Sequence, residues 1–320
     1  MTTTTNDPPT QQSPPSKPFR AKVRLGDLVF STSAKVAGIF ILVVLAGVAV
    51  FLISEAMPTF QADSTEIEGG KGFLSYVWPL VFGTLVAAVI ALVLATPLAV
   101  GIALFISHYA PRRMAQGLGY AVDLLAAIPS VVFGLWGIQF LAPTVQPIWS
   151  WLAEHLGFIP IFEGPASATG RTMLTVGVVL SVMILPIITA VSREVFLQAP
   201  RLHEEAALAL GATRWEMIRM AVIPFGLPGV LSATMLGLGR ALGETMAVAM
   251  VLSTGGFTWS LVTAGNNTIA AEIALDFPES SGLKTSTLIA AGLVLFAITL
   301  AVNMFARWIV ARRKEFSGAN

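Results

Sequence analysis

Apolar residues along this chain fall into six long blocks, and polar residues collect between the blocks. Each block is at least as long as the roughly 20-residue apolar helix that crosses a lipid bilayer. The pattern therefore predicts an all-α membrane protein with six transmembrane helices. The predicted spans are residues 36–57, 76–106, 119–141, 172–191, 230–252 and 285–310.

The composition supports a membrane protein and excludes several other classes. Apolar residues make up 55% of the 320 residues and charged residues only 12%, against roughly 25% charged in soluble domains. The net charge of +1 gives no reason to expect a nucleic-acid partner. The absence of cysteine excludes disulfides, thiolate metal sites and a cysteine nucleophile. We find no catalytic residue set and no metal site, and we expect no cofactor bound by this chain.

The positions of the basic residues predict the orientation. Most of the 19 Lys and Arg residues lie in the N-terminal segment, the second and fourth connections and the C-terminus. The opposite set of connections holds only Lys71, Arg171 and Lys284, and it is rich in Asp and Glu. By the positive-inside rule, both termini are cytoplasmic. The cytoplasmic ends are then residues 1–35, with a disordered Thr- and Pro-rich stretch at 1–18, and residues 311–320.

Two of the predicted external connections, residues 142–171 and 253–283, are longer than simple turns. The first includes an amphipathic stretch, 148–156, in which Trp149 and Trp151 are suited to a helix at the membrane surface. Such connections either dock an external partner or only cover the helical bundle, and the sequence leaves both interpretations open.

The fourth connection is cytoplasmic and predicts two short helices separated by a glycine. Strong helix formers precede Gly211, which interrupts the helix with its permissive backbone. Thr213 then begins a second helix, with Glu216 completing a capping box, and Pro224 and Pro228 are expected to end it. A compact helical knob of this kind suits insertion into a groove of another protein.

The residues of this knob resemble the EAA loop of ABC importer permeases. The motif is carried by Glu205, Ala206, Ala207, Gly211 and Pro224 at the spacing of that family, with two substitutions between apolar residues. The resemblance implies a type I, MetI-like permease bundle whose loop forms a coupling helix in the cleft of a cytoplasmic ATPase. The chain has no G-x-x-x-x-G-K-[ST] sequence, so the ATPase must be a partner protein.

Three ionisable residues, Asp123, Arg240 and Glu244, lie within predicted spans. A charge near the bilayer centre costs at least about 2.5–3.5 kcal/mol, so each is a functional candidate. Asp123 is near the end of its span and can reach water, which favours a structural role. Arg240 and Glu244 are four residues apart, on one face of the fifth predicted span. They form either an internal ion pair or a translocation site, and the two roles are compatible.

Proline also interrupts the third predicted span. Pro129 should kink this helix, and Ser130 can satisfy part of the backbone that the kink frees. Broken helices often line transport paths. Gly134 and Gly137 on the same segment would allow another helix to approach closely.

Several segments resemble one particular type of ABC importer permease, the phosphate importer permeases of the PstC type. The similar segments are 236–248 around Arg240 and Glu244, 123–137 around Pro129, and 267–270. Phe133 stands where tyrosine is common in that family. The resemblance covers residues 74–310, which we take as the permease domain, after a first transmembrane helix at 36–57. It implies a substrate pathway lined by Arg240, Glu244, Thr245 and Ser130.

The same resemblance implies partners and a location. The expected partners are a PstA-type permease that forms a heterodimer with this chain, two copies of a PstB-type ATPase and a PstS-type phosphate-binding protein. The expected location is the bacterial plasma membrane. Two alternatives remain: a permease for another oxyanion such as sulfate, molybdate or phosphonate, and an ion-driven secondary carrier. The carrier would need paired repeats with buried carboxylates in both halves, and the sequence has only one such half.

Overall fold

The part of the chain that the structure describes is helical and contains no β-strand. The structure is a computed structural model and describes residues 25–67, 70, 72–253 and 255–316. The predicted disordered stretch, 1–18, and the last residues of the predicted C-terminal segment, 317–320, lie outside these ranges. The predicted all-α class is confirmed.

Twelve α-helices follow one another within the described ranges. Short π-helical turns extend α2 at its C-terminus, join α4 to α5, and join α8 to α9. The helices are α1 Leu25–Gln61, α2 Phe73–Leu104, α3 Arg112–Ala126, α4 Ser130–Trp136, α5 Ala142–Leu156, α6 Met173–Leu197, α7 Arg201–Ala209, α8 Arg214–Met217, α9 Ile223–Leu242, α10 Met246–Val251, α11 Ile269–Asp276 and α12 Leu283–Phe316.

Six helical stretches of the described chain are long and apolar enough to span a membrane, as predicted. They are Leu28–Gln61, Phe73–Tyr109, Ser130–Leu156, Met173–Leu197, Arg214–Leu242 and Leu283–Trp308.

The third span differs from its predicted position at 119–141. A proline disfavours the α conformation of the residue before it, and helix α3 ends at Ala126, shortly before Pro129. Pro129 therefore separates two helices and does not kink one. The amphipathic stretch 148–156, predicted as a separate surface helix, is instead part of α5 and continues the third span. Asp123 lies on α3 and outside all six spans.

The fifth span is also displaced, because Pro224 and Pro228 do not end a helix. Pro224 stands in the first turn of α9, and Pro228 lies within α9. The π-helical turn Ile218–Val222 immediately before α9 shifts the backbone hydrogen bonds by one residue. The helix continues through both prolines, so the second cytoplasmic helix of the prediction is the beginning of the fifth span.

The chain divides into two compact units, residues 1–51 and 52–320. The first unit contains most of α1, and the predicted first span, 36–57, lies within this helix. In the second unit, α6 packs against both α2 and α9 and supplies much of the buried core. Alanines of α2 recur on the side buried against α6, at positions 87, 88, 91, 95 and 99. Their small side chains allow the close helix packing that is common in membrane proteins.

Candidate functional site

The chain breaks between α9 and α10, at the segment where sequence reasoning placed the substrate pathway. Arg240 is in the last turn of α9, which ends at Leu242. Glu244 and Thr245 lie beyond that end, before α10 begins at Met246. The prediction that Arg240 and Glu244 share one face of a continuous helix is therefore wrong.

Arg240 has unused hydrogen-bonding capacity. Its side chain is half-buried, and its Nε atom is buried without a hydrogen-bond partner. Among the residues that the structure describes, no carboxylate is placed in an ion pair with its guanidinium. An unsatisfied buried donor costs about 1–3 kcal/mol, and such groups in native structures call for an explanation. Arg240 thus has a donor that no protein group in the described structure uses.

Glu244 has a local structural role. Its side chain is only 9% exposed, and Oε1 accepts a hydrogen bond of 3.1 Å from the backbone N–H of Ala247. The carboxylate thereby satisfies the first turn of α10, where negative charge is favoured by the helix dipole. The hydroxyl of Thr245 donates to the carbonyl oxygen of Gly243 over 3.2 Å.

The opposite end of α10 is held by Arg171, which sequence reasoning did not identify as a site residue. Its guanidinium donates to three consecutive carbonyl oxygens, those of Met250 at 3.1 Å, Val251 at 3.2 Å and Leu252 at 2.8 Å. These carbonyls have no continuing helix to bond to, and a cation is favoured at a helix C-terminus. One signal was present in the sequence, because Arg171 departs from the positive-inside pattern.

Helix α4 packs directly against α10. A Cβ on Gly134 would lie 3.0 Å from the Cα of Ala247, and one on Gly137 would lie 2.7 Å from Val251 Cγ2. The predicted close approach at these glycines is confirmed. Since both contacts advance in the same direction along the two helices, α4 and α10 run parallel. Ser130, the half-buried first residue of α4, is therefore at the same end of this helix pair as Thr245.

The predicted EAA loop forms an exposed helix followed by the predicted glycine turn. Helix α7 has no buried residue. At its end Gly211 adopts a positive φ of 87°. The N–H of Ala212 donates to the carbonyl of Ala207 over 3.2 Å, and the N–H of Gly211 donates to Leu208 over 3.0 Å. This is the Schellman arrangement, which requires a left-handed residue at the position of Gly211.

The capping box after the turn is also confirmed. The backbone N–H of Thr213 donates to Glu216 Oε2 over 2.8 Å, and the N–H of Glu216 donates to Thr213 Oγ1 over 3.3 Å. Glu205 and Ala206 are exposed, and Ala207 is half-buried on the side that faces the body of the protein. Pro224 is exposed in the first turn of α9.

Helix α7 contacts the end of the second span through one polar pair. His108 Nε2 lies 3.6 Å from Glu204 Oε1. The outer side of α7 and its turn exposes apolar side chains, including Leu202 at 74% and Leu210 at 90%. The outer side of α7 thus exposes both apolar and charged groups to its surroundings.

The two long connections predicted to be external pack against each other. The N–H of Ser167 donates to the carbonyl of Val262 over 2.9 Å, and the N–H of Leu261 donates to Ile161 over 2.8 Å. Asn267 and Thr268 are buried beside α2, and the N–H of Ile269 donates to Thr84 Oγ1 over 3.0 Å. Covering the bundle is thus one role of these connections, and docking of a partner stays a prediction.

Metal ligands are not grouped in the described ranges of the chain. No set of three His, Asp or Glu side chains among those residues is placed to hold a metal ion.

Comparison with known proteins defines the class. Residues 95–315 match the family of binding-protein-dependent transport system inner membrane components. The permease chain of a bacterial ABC transporter for alginate, solved with an alginate-bound periplasmic protein, has the same fold. It aligns with a TM-score of 0.57 at 19% identity, over 88% of this chain and 96% of that one. An inward-facing methionine ABC transporter aligns with a TM-score of 0.50 at 17% identity, over 74% and 93% of the two chains. The fold is that of an ABC importer permease.

Closer relatives share much more of the sequence. The phosphate transport system permease protein PstC 2 of Mycobacterium tuberculosis is 48% identical over 299 residues, which cover 89% of this chain and 92% of the relative. The PstC protein of Mesorhizobium japonicum is 38% identical over 306 residues, covering 92% and 93%. The chain belongs to the binding-protein-dependent transport permeases and, within them, to the PstC type. Its class is a transporter subunit, and the ion-driven secondary carrier considered from the sequence is a different class.

Proposed function

We propose that this chain forms one half of the translocation pore of an ATP-driven importer of inorganic phosphate. Both termini face the cytoplasm of a bacterial cell, as the distribution of basic residues favours. The other half is a PstA-type permease. Two PstB-type ATPase subunits supply the energy, because the 320 residues contain no P-loop. A PstS-type binding protein delivers phosphate from outside.

The observation that carries this proposal is the unpartnered Nε donor of the half-buried Arg240 side chain. A guanidinium presents a planar set of donors that matches the oxygens of phosphate. Arg240 is half-buried beside a break in the helix, and its Nε has no hydrogen-bond partner in the described structure. Glu244 is acidic and does not itself attract an anion. It accepts a hydrogen bond at the start of α10 and so fixes the shape of the break. Thr245 and Ser130 supply hydroxyl groups at the same end of the α4–α10 pair.

In the proposed transport cycle, the exposed coupling helix α7 drives a change at the break between α9 and α10. ATP-driven closure of the ATPase subunits displaces α7, whose exposed residues Glu205 and Ala206 lie on the surface offered to the partner. The Gly211 turn passes this displacement to α8, which continues without a break into the fifth span. Arg240 lies in the last turn of the fifth span, so movement of the coupling helix changes which side of the membrane can reach the guanidinium. Hydrolysis resets the cycle.

Substitution of Arg240 tests the proposal. We expect Arg240→Gln to lower phosphate uptake by at least about tenfold, because a hydrogen bond to a charged group is lost. Uptake of radiolabelled phosphate is measured in cells whose own phosphate permeases are deleted. Arg307→Gln, which removes an exposed arginine of α12, is the matched control. Normal uptake by an assembled Arg240→Gln transporter would remove Arg240 from the pathway.

The substrate is tested in the reconstituted complex with its ATPase and binding protein. The ATPase rate is measured with the binding protein empty, phosphate-loaded or sulfate-loaded. We expect stimulation by the phosphate-loaded form alone. Stimulation by the sulfate-loaded form would keep the importer and change the substrate. A fully assembled complex that responds to no form would contradict the proposed function.

A further inference from the structure

Three arginines, separate from Arg240, surround a cavity. The cavity has a volume of about 520 Å³ and lies between α3, the end of the second span, α6 and the start of α7. Its lining contains three arginines and one aspartate, and so it carries an excess of positive charge. The polar side chains of the lining are Ser107, Arg112, Gln116, Tyr120, Asp123, Arg193 and Arg201.

The cavity is separated from Arg240 along the fifth span. Helices α6 and α9 run antiparallel, because Gly229 contacts Val195 whereas Gly237 contacts Ile188. Arg193 is therefore close to the level of Gly229. Arg240 is eleven residues further along α9, which is about 16 Å at 1.5 Å per residue. Arg240 and the arginines of the cavity thus lie at distinct sites.

Arg193 is held in place but only weakly neutralised. Its Nη2 lies 3.9 Å from Asp123 Oδ2, which is too long for a hydrogen bond, and the Asp123 side chain is 52% exposed to solvent. Its Nε is buried and has no hydrogen-bond partner in the described structure. The guanidinium lies against α3 where the chain has Gly119, since a Cβ there would overlap Nη1. Arg193 therefore retains unused donors at the cavity.

Two helices also begin at this cavity. Arg112 is the first residue of α3 and Arg201 is the first residue of α7, and both line the cavity. Each helix is preceded by a proline, Pro111 or Pro200, that provides no side-chain cap. The free N–H groups and the positive ends of the helix dipoles add to the charge of the arginines.

We propose that this cavity binds a phosphate-type oxyanion, with Arg112, Arg193 and Arg201 as its cationic ligands. Because Arg201 begins the coupling helix, a bound anion would tie α7 to α3 and α6 and restrain its movement. Free inorganic phosphate and the headgroup of an anionic phospholipid offer the same chemistry. Only the effect on movement of the coupling helix rests on the proposed function, because binding itself does not depend on orientation or transport.

Binding of radiolabelled inorganic phosphate to the full chain tests the site. The chain is reconstituted in nanodiscs of neutral phosphatidylcholine and carries Arg240→Gln, so that the proposed pore site does not contribute. We expect saturable binding that becomes about tenfold weaker or more in Arg112→Gln and in Arg201→Gln. Both arginines are exposed, so their replacement leaves the fold intact. The matched control is Arg113→Gln, which removes the neighbouring exposed charge outside the cavity lining.

A second arm distinguishes the two sources of the oxyanion. The same variants are placed in nanodiscs that contain phosphatidylglycerol, and the lipid retained by the released chain is counted by native mass spectrometry. Loss of one retained phosphatidylglycerol in Arg112→Gln but not in Arg113→Gln, without phosphate binding, supports the site and assigns it to a lipid headgroup. Binding of neither probe, or equal loss in Arg113→Gln, would overturn the proposal. Phosphate uptake by the Arg240→Gln transporter is measured in a separate experiment. Failure of the proposed transport function and failure of the proposed oxyanion site can therefore be told apart.

Discussion

Helices α7 and α10 are both short and both adjoin the fifth span, but they are stabilised in opposite ways. Helix α7 is nine residues long and buries none of them. Helix α10 is six residues long and buries Ala247, Val248 and Val251. The ends of α7 are defined by neighbours in sequence, Pro200 and Gly211. The ends of α10 are satisfied by Glu244 and by Arg171, which is 80 residues away from Val251.

This difference follows the roles that we propose for the two helices. A coupling helix must leave its partner-facing side exposed, so its shape has to come from local caps and turns. A helix beside the pore has to keep its backbone satisfied where water is scarce, so charged side chains at both ends replace the solvent. The comparison predicts that α10 depends on distant residues for its stability, whereas α7 depends on its own sequence.

The largest loss of stability is expected when Arg171 is replaced. Arg171→Gln removes a cation that donates to three carbonyl oxygens, and leaving them unsatisfied should cost about 3 kcal/mol or more. We expect a clear fall in the apparent Tm of the purified chain in detergent. Arg171→Lys keeps the charge without the planar fork and should recover part of the loss. An unchanged Tm in Arg171→Gln would show that α10 does not need this contact.

The next effect concerns the packing of α10 against α4. A Cβ on Gly137 would lie 2.7 Å from Val251 and 2.8 Å from Val179, so Gly137→Ala should destabilise the protein by about 1–3 kcal/mol. The measurement is again thermal unfolding in detergent. Gly117→Ala is the control, because nothing lies within 4 Å of that position on α3, and a helical glycine replaced by alanine should gain about 0.5–1 kcal/mol. Equal behaviour of the two variants would contradict close packing at Gly137.

A smaller effect on stability, but a large one on function, is expected at Gly211. Its φ of 87° is unfavourable for a β-branched residue, so Gly211→Val should cost about 1–2 kcal/mol at the turn. Its main consequence should be loss of binding-protein-stimulated ATPase activity in the reconstituted complex. Gly211→Asn should retain coupling, because asparagine tolerates the left-handed conformation. Full coupling in Gly211→Val would refute the role of the turn.

The smallest effect is expected at the capping box. Thr213→Ala removes the side chain that accepts from the N–H of Glu216, and such a loss costs about 1 kcal/mol. We expect a small decrease in Tm and earlier proteolysis between α7 and α8, whereas Thr213→Ser should behave as the original chain. A decrease as large as that of Arg171→Gln would mean that the local caps of α7 and the distant contacts of α10 stabilise the fold equally.

Much of the region around α7 could be predicted from the sequence because its causes are local. The glycine turn and the capping box depend on residues within five positions of one another, and both are present. The same reasoning failed at Pro224 and Pro228, where a π-helical turn carries the helix through the prolines. It also failed around Pro129, where one predicted span is two helices. Apolar blocks give the number of spans but do not give their exact ends.

The candidate site shows more clearly what could not be predicted from the sequence. The sequence singled out Arg240 and Glu244 as charges in an apolar segment, but it placed them on one helix face, and the structure ends the helix between them. The role of Glu244 as a cap depends on that break. The sequence noted Arg171 only as an exception to the charge pattern.

The sequence by itself determined the all-α class, the six spans, the exposed cytoplasmic-loop helix with its glycine turn and the residue types suited to an anion. These properties follow from hydrophobicity, local backbone preference and the cost of charge in lipid, which act along short stretches of chain. Only the tertiary structure decided that Arg171 closes α10, that α4 and α10 run parallel, and that Arg112, Arg193 and Arg201 surround one cavity. Each of these depends on residues distant in sequence, whose meeting is set by the packing of the whole helical bundle.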